Sequence, residues 1–148
     1  MIEGIQMDKS EVKKHLAESL VSYLSGLEKE HGRVIIVLTV ENETPVWGVY
    51  KVFLEGIKRE KRFINSYPTE EFFKKVVLSQ ADNLAVKIQV KAIFSTIGKT
   101  VFPEVEKGII QNLPPGQNVM IARIGEGLLI TLNEGERFIK KLSFDEIL

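Results

Sequence analysis

The sequence contains no cysteine among its 148 residues. Disulfide bonds, thiolate catalysis and cysteine-ligated zinc are therefore excluded. Histidine is scarce as well, because the chain has only His15 and His31. On one predicted helix these two side chains lie about 160° apart around the axis, so they do not converge on a metal ion. We expect neither a metal site nor a bound cofactor.

An excess of charge of either sign is also missing, because 20 Lys and Arg residues balance 20 Asp and Glu residues. This balance argues against a generic nucleic-acid binder, although it leaves room for a local basic patch. No apolar run approaches about 20 residues, so we expect no membrane-spanning helix. The polar, acidic opening segment is unlike a secretory signal, which favours a cytoplasmic location. Few Asn and Gln beside many Lys and Glu favour a thermophilic source.

The residues that are present indicate one α+β domain over residues 1–148. Hydrophobic residues make up 44% of the chain, and a chain of this length can form a continuous core. The clearest element is a hairpin, in which the apolar runs Asn118–Gly125 and Leu128–Asn133 flank the turn Gly125-Glu126-Gly127. Glycine suits this turn because it reaches positive φ without steric cost.

The first half of the chain predicts a helix over Ser10–His31, ended by Gly32 at the position after its last turn. Arg33–Val40 is a nearly unbroken β-branched run and predicts a buried strand. Val46–Leu54 predicts a second strand, antiparallel to the first because only five residues join them. Gly56–Asn65 is expected to be a charged connector or the far end of that strand. The helix has one apolar stripe: Val12, Leu16, Leu20, Tyr23, Leu24 and Leu27.

In the second half, Thr69 is expected to cap another helix whose apolar face is Phe73, Val77, Ala81 and Leu84. The alternating pattern of Leu84–Ser95 predicts a strand, with a helix continued to Ile88 as the alternative. Pro103 is expected to start a short helix, with a strand over Glu106–Gln111 as the alternative. Arg137–Phe144 is either a strand or a terminal helix. The resulting order, α-β-β-α-β-α-β-β-β, predicts a mainly antiparallel sheet with helices packed on one face.

One basic cluster stands out in the sequence, and its members are Lys58, Arg59, Lys61 and Arg62, with Phe63 and Tyr67 nearby. Cations mixed with aromatic rings are typical of loops that contact phosphate or RNA. The alternative is a solvated edge strand whose charges prevent unwanted pairing, and this interpretation is favoured.

Trp47 lies on the second predicted strand and is either a core residue or a contact for a partner, because tryptophan is enriched in interface hot spots. Alternation along the strand places Trp47 and Phe53 on one face and Tyr50 on the other. Because both faces carry aromatic residues, one face must cover the core and the other needs a helix or a second subunit. We expect a homodimer, formed economically through a strand edge.

No catalytic motif emerges from the sequence. Gly98-Lys99-Thr100 lacks the first glycine of a phosphate-binding loop, because position 93 is Ile93. Glu104 and Glu106 point apart in either a helix or a strand. The serines have no nucleophile-elbow glycines around them.

The tail Val119–Gly135, with the sequence VMIARIGEGLLITLNEG, resembles the last hairpin of Roadblock/LC7-type domains. The helix–strand–strand–helix order predicted before it is also similar. The resemblance implies a homodimer with an extended sheet that docks small GTPases or motor subunits.

Together these observations predict a binding or assembly module without catalytic machinery. Two alternatives stay open: a small-ligand protein or enzyme whose site is built from dispersed Asp, Glu, Lys and Arg, and an RNA- or phosphate-binding protein that uses Lys58–Arg62. Nucleic acid and membrane are not expected as the main partners.

Overall fold

The fold is seen in a computed structural model that describes residues 9–78 and 113–147. The predicted strand Leu84–Ser95, the helix at Pro103 and the Gly-Lys-Thr motif lie outside the described residues. The elements are α1 (Lys9–His31), β1 (Val34–Glu41), β2 (Thr44–Glu55), β3 (Lys58–Pro68), α2 (Thr69–Leu78), β4 (Gln117–Ile124), β5 (Gly127–Glu134), β6 (Arg137–Leu142) and α3 (Phe144–Ile147).

The six strands form one antiparallel sheet in the order β3-β2-β1-β4-β5-β6. Two three-stranded meanders therefore meet where β1 pairs with β4, with Ile36 opposite Ile121. Helices α1 and α2 pack against one face of this sheet. The predicted α+β class, an antiparallel sheet with helices on one face, is confirmed.

The core lies between that face and the two helices, because alternate strand residues point to the same side of a sheet. Leu16, Leu20 and Leu24 of the predicted stripe are buried there, and Leu27 packs against the cluster. The sheet contributes Val34, Ile36, Leu38, Trp47, Val49, Val119, Ile121, Ile130, Leu132 and Leu142.

The helix α1 ends as predicted. Gly32 has φ +77°, and its backbone N–H donates to the carbonyl oxygen of Glu28 at 3.0 Å. A glycine in this left-handed conformation satisfies a carbonyl of the last helical turn and directs the chain into β1. The predicted hairpin is also confirmed, since β4 and β5 pair across a two-residue turn with φ +59° at Gly125.

The expectation that the segment after β2 is a connector or the far end of β2 was wrong, whereas the edge-strand interpretation of its basic cluster agrees with the structure. The segment is neither a connector nor an extension of β2, because Gly56 turns the chain back and Lys58–Pro68 forms a strand of its own. Charged residues mask the strand pattern here, since an outer strand of a sheet tolerates polar side chains on both faces. The predicted order of elements was therefore wrong in lacking this third strand.

The end of the chain combines both alternatives of the sequence analysis, a strand followed by the short helix α3. At its start, the Glu146 carboxylate accepts hydrogen bonds from both the backbone N–H and the hydroxyl of Ser143. The Ser143 backbone N–H donates to the Glu146 carboxylate at 3.1 Å, and this bond lowers the pKa of Glu146 below its usual value.

Trp47 connects the sheet to α2. Its side chain is 0% exposed, and its indole N–H donates to the Thr69 hydroxyl at 2.9 Å. The Phe72 ring stacks on the indole with centroids 4.8 Å apart and an 11° angle between the planes. Phe73 meets the same indole edge-on at 4.9 Å. Trp47 is thus a core residue, and a role as a surface contact is incompatible with this burial.

We predict that Leu20→Ala lowers the free energy of unfolding by about 2–5 kcal/mol, because the truncation leaves a cavity in a closed core. Ser22→Ala, on the exposed side of the same helix, is the matched control and should change stability by less than about 0.5 kcal/mol. Urea denaturation measures both values. A cost for Leu20→Ala as small as that of the control would mean that α1 does not cover the sheet.

Because the phenol of Tyr23 is buried, we predict that the protein loses stability at alkaline pH. Burial, with a smaller effect of Tyr67, raises its pKa to about 12. The folded state therefore keeps the phenol proton at a pH where the unfolded chain has lost it, so stability falls between about pH 10 and pH 12. Tyr23→Phe should show a weaker decline over this range in denaturation curves. Equal declines in both proteins would contradict the assignment.

Candidate functional site: an exposed hairpin arm

The outer end of the β2–β3 hairpin extends beyond the rest of the sheet. Strand β2 pairs with β1 only as far as Lys51, after which the Val52 N–H donates to the Arg33 carbonyl at 2.8 Å. Among the described strands, Phe53–Glu55 pair with β3 alone, which makes a two-stranded projection of about 10 Å. We call residues 53–63 the arm.

Large apolar side chains on the arm face solvent. Leu54 is 69% exposed, Phe63 is 58% exposed, and Ile57 at the turn is fully exposed. These side chains contribute little to the core, so their burial does not explain their presence. Three exposed apolar residues on one short segment make it a candidate interaction site, although Ile124, Phe138 and Ile139 elsewhere in the described residues are also exposed.

The turn of the arm differs from two others in the same chain. Gly56-Ile57, Gly125-Glu126 and Gly135-Glu136 are all two-residue hairpin turns with positive φ at the glycine. The second position of such turns faces water and usually carries a polar residue. Two of the three carry glutamate there, whereas the arm carries isoleucine. The turn conformation does not require isoleucine at this position, because the other two turns form with glutamate there.

The basic cluster lies on the arm. Lys58 pairs with Glu60 at 3.4 Å, but no carboxylate among the described residues forms an ion pair with Arg59, Lys61 or Arg62. The Lys61 ammonium lies 5.4 Å from the centre of the Tyr50 ring, and the Arg62 guanidinium lies 5.4 Å from that of Phe53. These cation–π contacts hold two cations against the arm without neutralising them.

The base of the arm is held by aromatic contacts. The Tyr50 ring covers Gly48, so closely that a Cβ there would lie 2.7 Å from the ring edge. Phe63 meets Tyr50 edge-on, with ring centroids 5.8 Å apart. Without a side chain at position 48, the Tyr50 ring can lie flat on the strand and position Phe63.

The structure brings together four of the predicted site residues, Lys58, Arg59, Lys61 and Arg62, on an outer strand as the favoured interpretation expected. It does not bring Tyr67 to them, because Tyr67 is half-buried and packs near Phe72. Trp47 lies in the core. Leu54 and Ile57 were missed, and the only sequence signal for Ile57 is an aliphatic residue where a Gly-x turn favours a polar one.

Elsewhere in the described residues, charged groups that come together have structural roles. Arg123 binds the Glu28 carboxylate at 2.9 Å and the Gly125 carbonyl at 2.6 Å, and Arg33 approaches Glu28 at 3.6 Å. This cluster joins the end of α1 to the end of β4. No three His, Asp or Glu side chains meet as metal ligands within the described ranges. An open, mainly apolar groove of about 580 Å³ lies between α1, β5 and the β6–α3 junction.

Comparisons with known proteins add no family assignment, because no family model, curated protein or solved structure matches this chain. In residues 9–78 and 113–147, no helix is both long and apolar enough to cross a membrane. The geometry of the arm therefore has to be interpreted from its own chemistry.

We predict that the exposed apolar residues of the arm can be replaced without loss of stability. Leu54→Thr and Ile57→Ser should each change the free energy of unfolding by less than about 0.5 kcal/mol, because neither side chain is buried. Leu38→Thr is the matched control on a buried strand position and should cost several-fold more. Urea denaturation distinguishes the cases. A large cost at position 54 or 57 would assign these residues to the fold.

Proposed function

We propose that this protein is a non-catalytic binding module that docks a macromolecular partner through the arm. The observation that carries the proposal is the combination of exposed Leu54, Ile57 and Phe63 with Arg59, Lys61 and Arg62, which lack carboxylate partners among the described residues. Arginine and aromatic side chains such as that of Phe63 are enriched in protein interfaces.

A homodimer remains a prediction, and the geometry does not favour its formation by edge pairing. The outer strands of the described sheet are β3 and β6, and each contains a register shift that leaves one residue unpaired. Both strands also carry several cations. Irregular, charged edges hinder the addition of an identical strand. We therefore place the partner contact on the arm and propose a different protein as the partner.

The resemblance to Roadblock/LC7-type domains leads to a related proposal, a docking partner of small GTPases. It rests on the β4–β5 hairpin, which the structure contains. The helix–strand–strand–helix order that also supported it is interrupted by β3. An enzyme with a dispersed site and a cytoplasmic location likewise stay predictions of the sequence.

RNA binding is the second candidate function, and one observation favours it. Arg59, Lys61 and Phe63 alternate along β3 and so share one face of the arm. An exposed ring beside cations can stack a base. The exposed aliphatic residues Leu54 and Ile57 do not suit a nucleic-acid surface, because they offer no ring for base stacking.

A photo-crosslinking amino acid at position 57 tests the proposed function in cells that naturally produce the chain. We expect adducts with a partner from position 57 and none from the same group at position 126, which has the corresponding place in the β4–β5 turn. Mass spectrometry identifies protein adducts, and nuclease sensitivity identifies RNA. Equal labelling from both positions, or no adduct from position 57, would contradict docking through the arm.

A further inference from the structure

We infer that the arm binds an extended protein segment that combines carboxylates with apolar side chains. This inference rests on the proposed function, because it specifies the chemistry of the partner that the arm would dock.

The arm carries a local positive charge in a chain without net charge. Residues 53–63 contain four Lys and Arg residues against two Glu residues, whereas the whole chain has 20 of each sign. The Lys58–Glu60 ion pair accounts for one charge of each sign, and Arg59, Lys61 and Arg62 stay without a carboxylate partner among the described residues. A partner with negative charge therefore completes the electrostatics of the arm.

The cations and apolar residues are arranged in rows rather than scattered. Register pairs Leu54 with Arg59, Val52 with Lys61 and Tyr50 with Phe63. These six residues lie on the sheet face opposite Trp47 and the helices. Arg59, Lys61 and Phe63 recur every second residue, about 7 Å apart. An extended segment could place carboxylates at two alternate positions opposite Arg59 and Lys61. An apolar residue two positions further along the segment would then lie opposite Phe63.

The exposed apolar groups favour a protein over a nucleic acid. Leu54 and Ile57 are aliphatic, and aliphatic side chains pack against other apolar side chains but offer no ring for base stacking. Two further rings, Tyr50 at the base of the arm and Phe53 on it, already have Lys61 and Arg62 against them. A second copy of the arm is also disfavoured, because it would bring like charges together.

A defined peptide pair provides the probe. The first is a fluorescent 12-residue peptide with glutamate at two alternate positions and leucine two positions later. The second has lysine in place of both glutamates. In fluorescence anisotropy we expect wild-type protein to bind the glutamate peptide and not the lysine peptide. Binding should weaken several-fold as salt rises from about 50 mM to about 500 mM, because screening reduces interactions between exposed charges.

Matched variants locate the binding on the arm. Ile57→Ser should weaken binding of the glutamate peptide at least about 10-fold, because an apolar contact is lost. Glu136→Ser changes the same position of the β5–β6 turn and should have no effect. Arg59→Gln should weaken binding about 3-fold, whereas Lys140→Gln, a cation on the other outer strand, should leave it unchanged.

The inference is overturned if wild-type protein does not bind the glutamate peptide, or if Glu136→Ser weakens binding as much as Ile57→Ser. It is also overturned if a single-stranded RNA oligonucleotide or vesicles with anionic lipid bind the arm more tightly than the peptide does. In those cases crosslinking from position 57 still tests the proposed function. Adducts there with no peptide binding would reject only the acidic partner, whereas absence of adducts would reject the docking role itself.

Discussion

The stacking of Phe72 on Trp47 is the contact on which the first half of the fold depends. It joins the start of α2 to the middle of β2, and the hydrogen bond from the indole to Thr69 fixes the point where β3 ends and the helix begins. The side chain of Trp47 thus has its polar group satisfied within a closed apolar core, as buried indoles require. Because α2 is anchored there, the helices cover a single face of the sheet, and β2 and β3 can extend past β1 without exposing the core.

The core contacts and the proposed docking surface consequently lie on different parts of the same hairpin. Near Trp47 and Val49, strand β2 is buried under α2. The last three residues of β2, which follow Val52, are paired on one side only, with β3. The arm is supported by its own cross-strand contacts, among them Tyr50 with Phe63 and Lys61. Isolated two-stranded hairpins are marginally stable in water, so the attachment to the sheet gives the arm its structure. Side chains at its tip are then free to serve a partner rather than the core.

Much of the fold follows from sequence periodicity. The stripe of α1, its terminal Gly32 and the β4–β5 hairpin are visible because apolar spacing and glycine placement agree with each other. The extent of strand β3 is not visible from periodicity, because seven consecutive residues from Gly56 to Arg62 contain five charges and no alternation, and only the interpretation of the basic cluster as an edge strand pointed to it. The basic residues of the candidate site can also be recognised in the sequence, whereas the exposure of Leu54 and Ile57 cannot. The sequence shows that these two residues are apolar. Their exposure becomes clear only from the structure, in which the β2–β3 hairpin extends past the end of β1.

The central claim is that the arm, and not the groove or the rest of the sheet, is the binding surface. Backbone amide chemical shifts of the ¹⁵N-labelled protein, recorded during titration with the glutamate-containing peptide, test it most directly. The account predicts shifts concentrated on residues 53–63, with Ile57, Arg59 and Lys61 among the most affected. Shifts centred on Val21, Leu128 and Phe144 in the groove, with the arm unchanged, would contradict it.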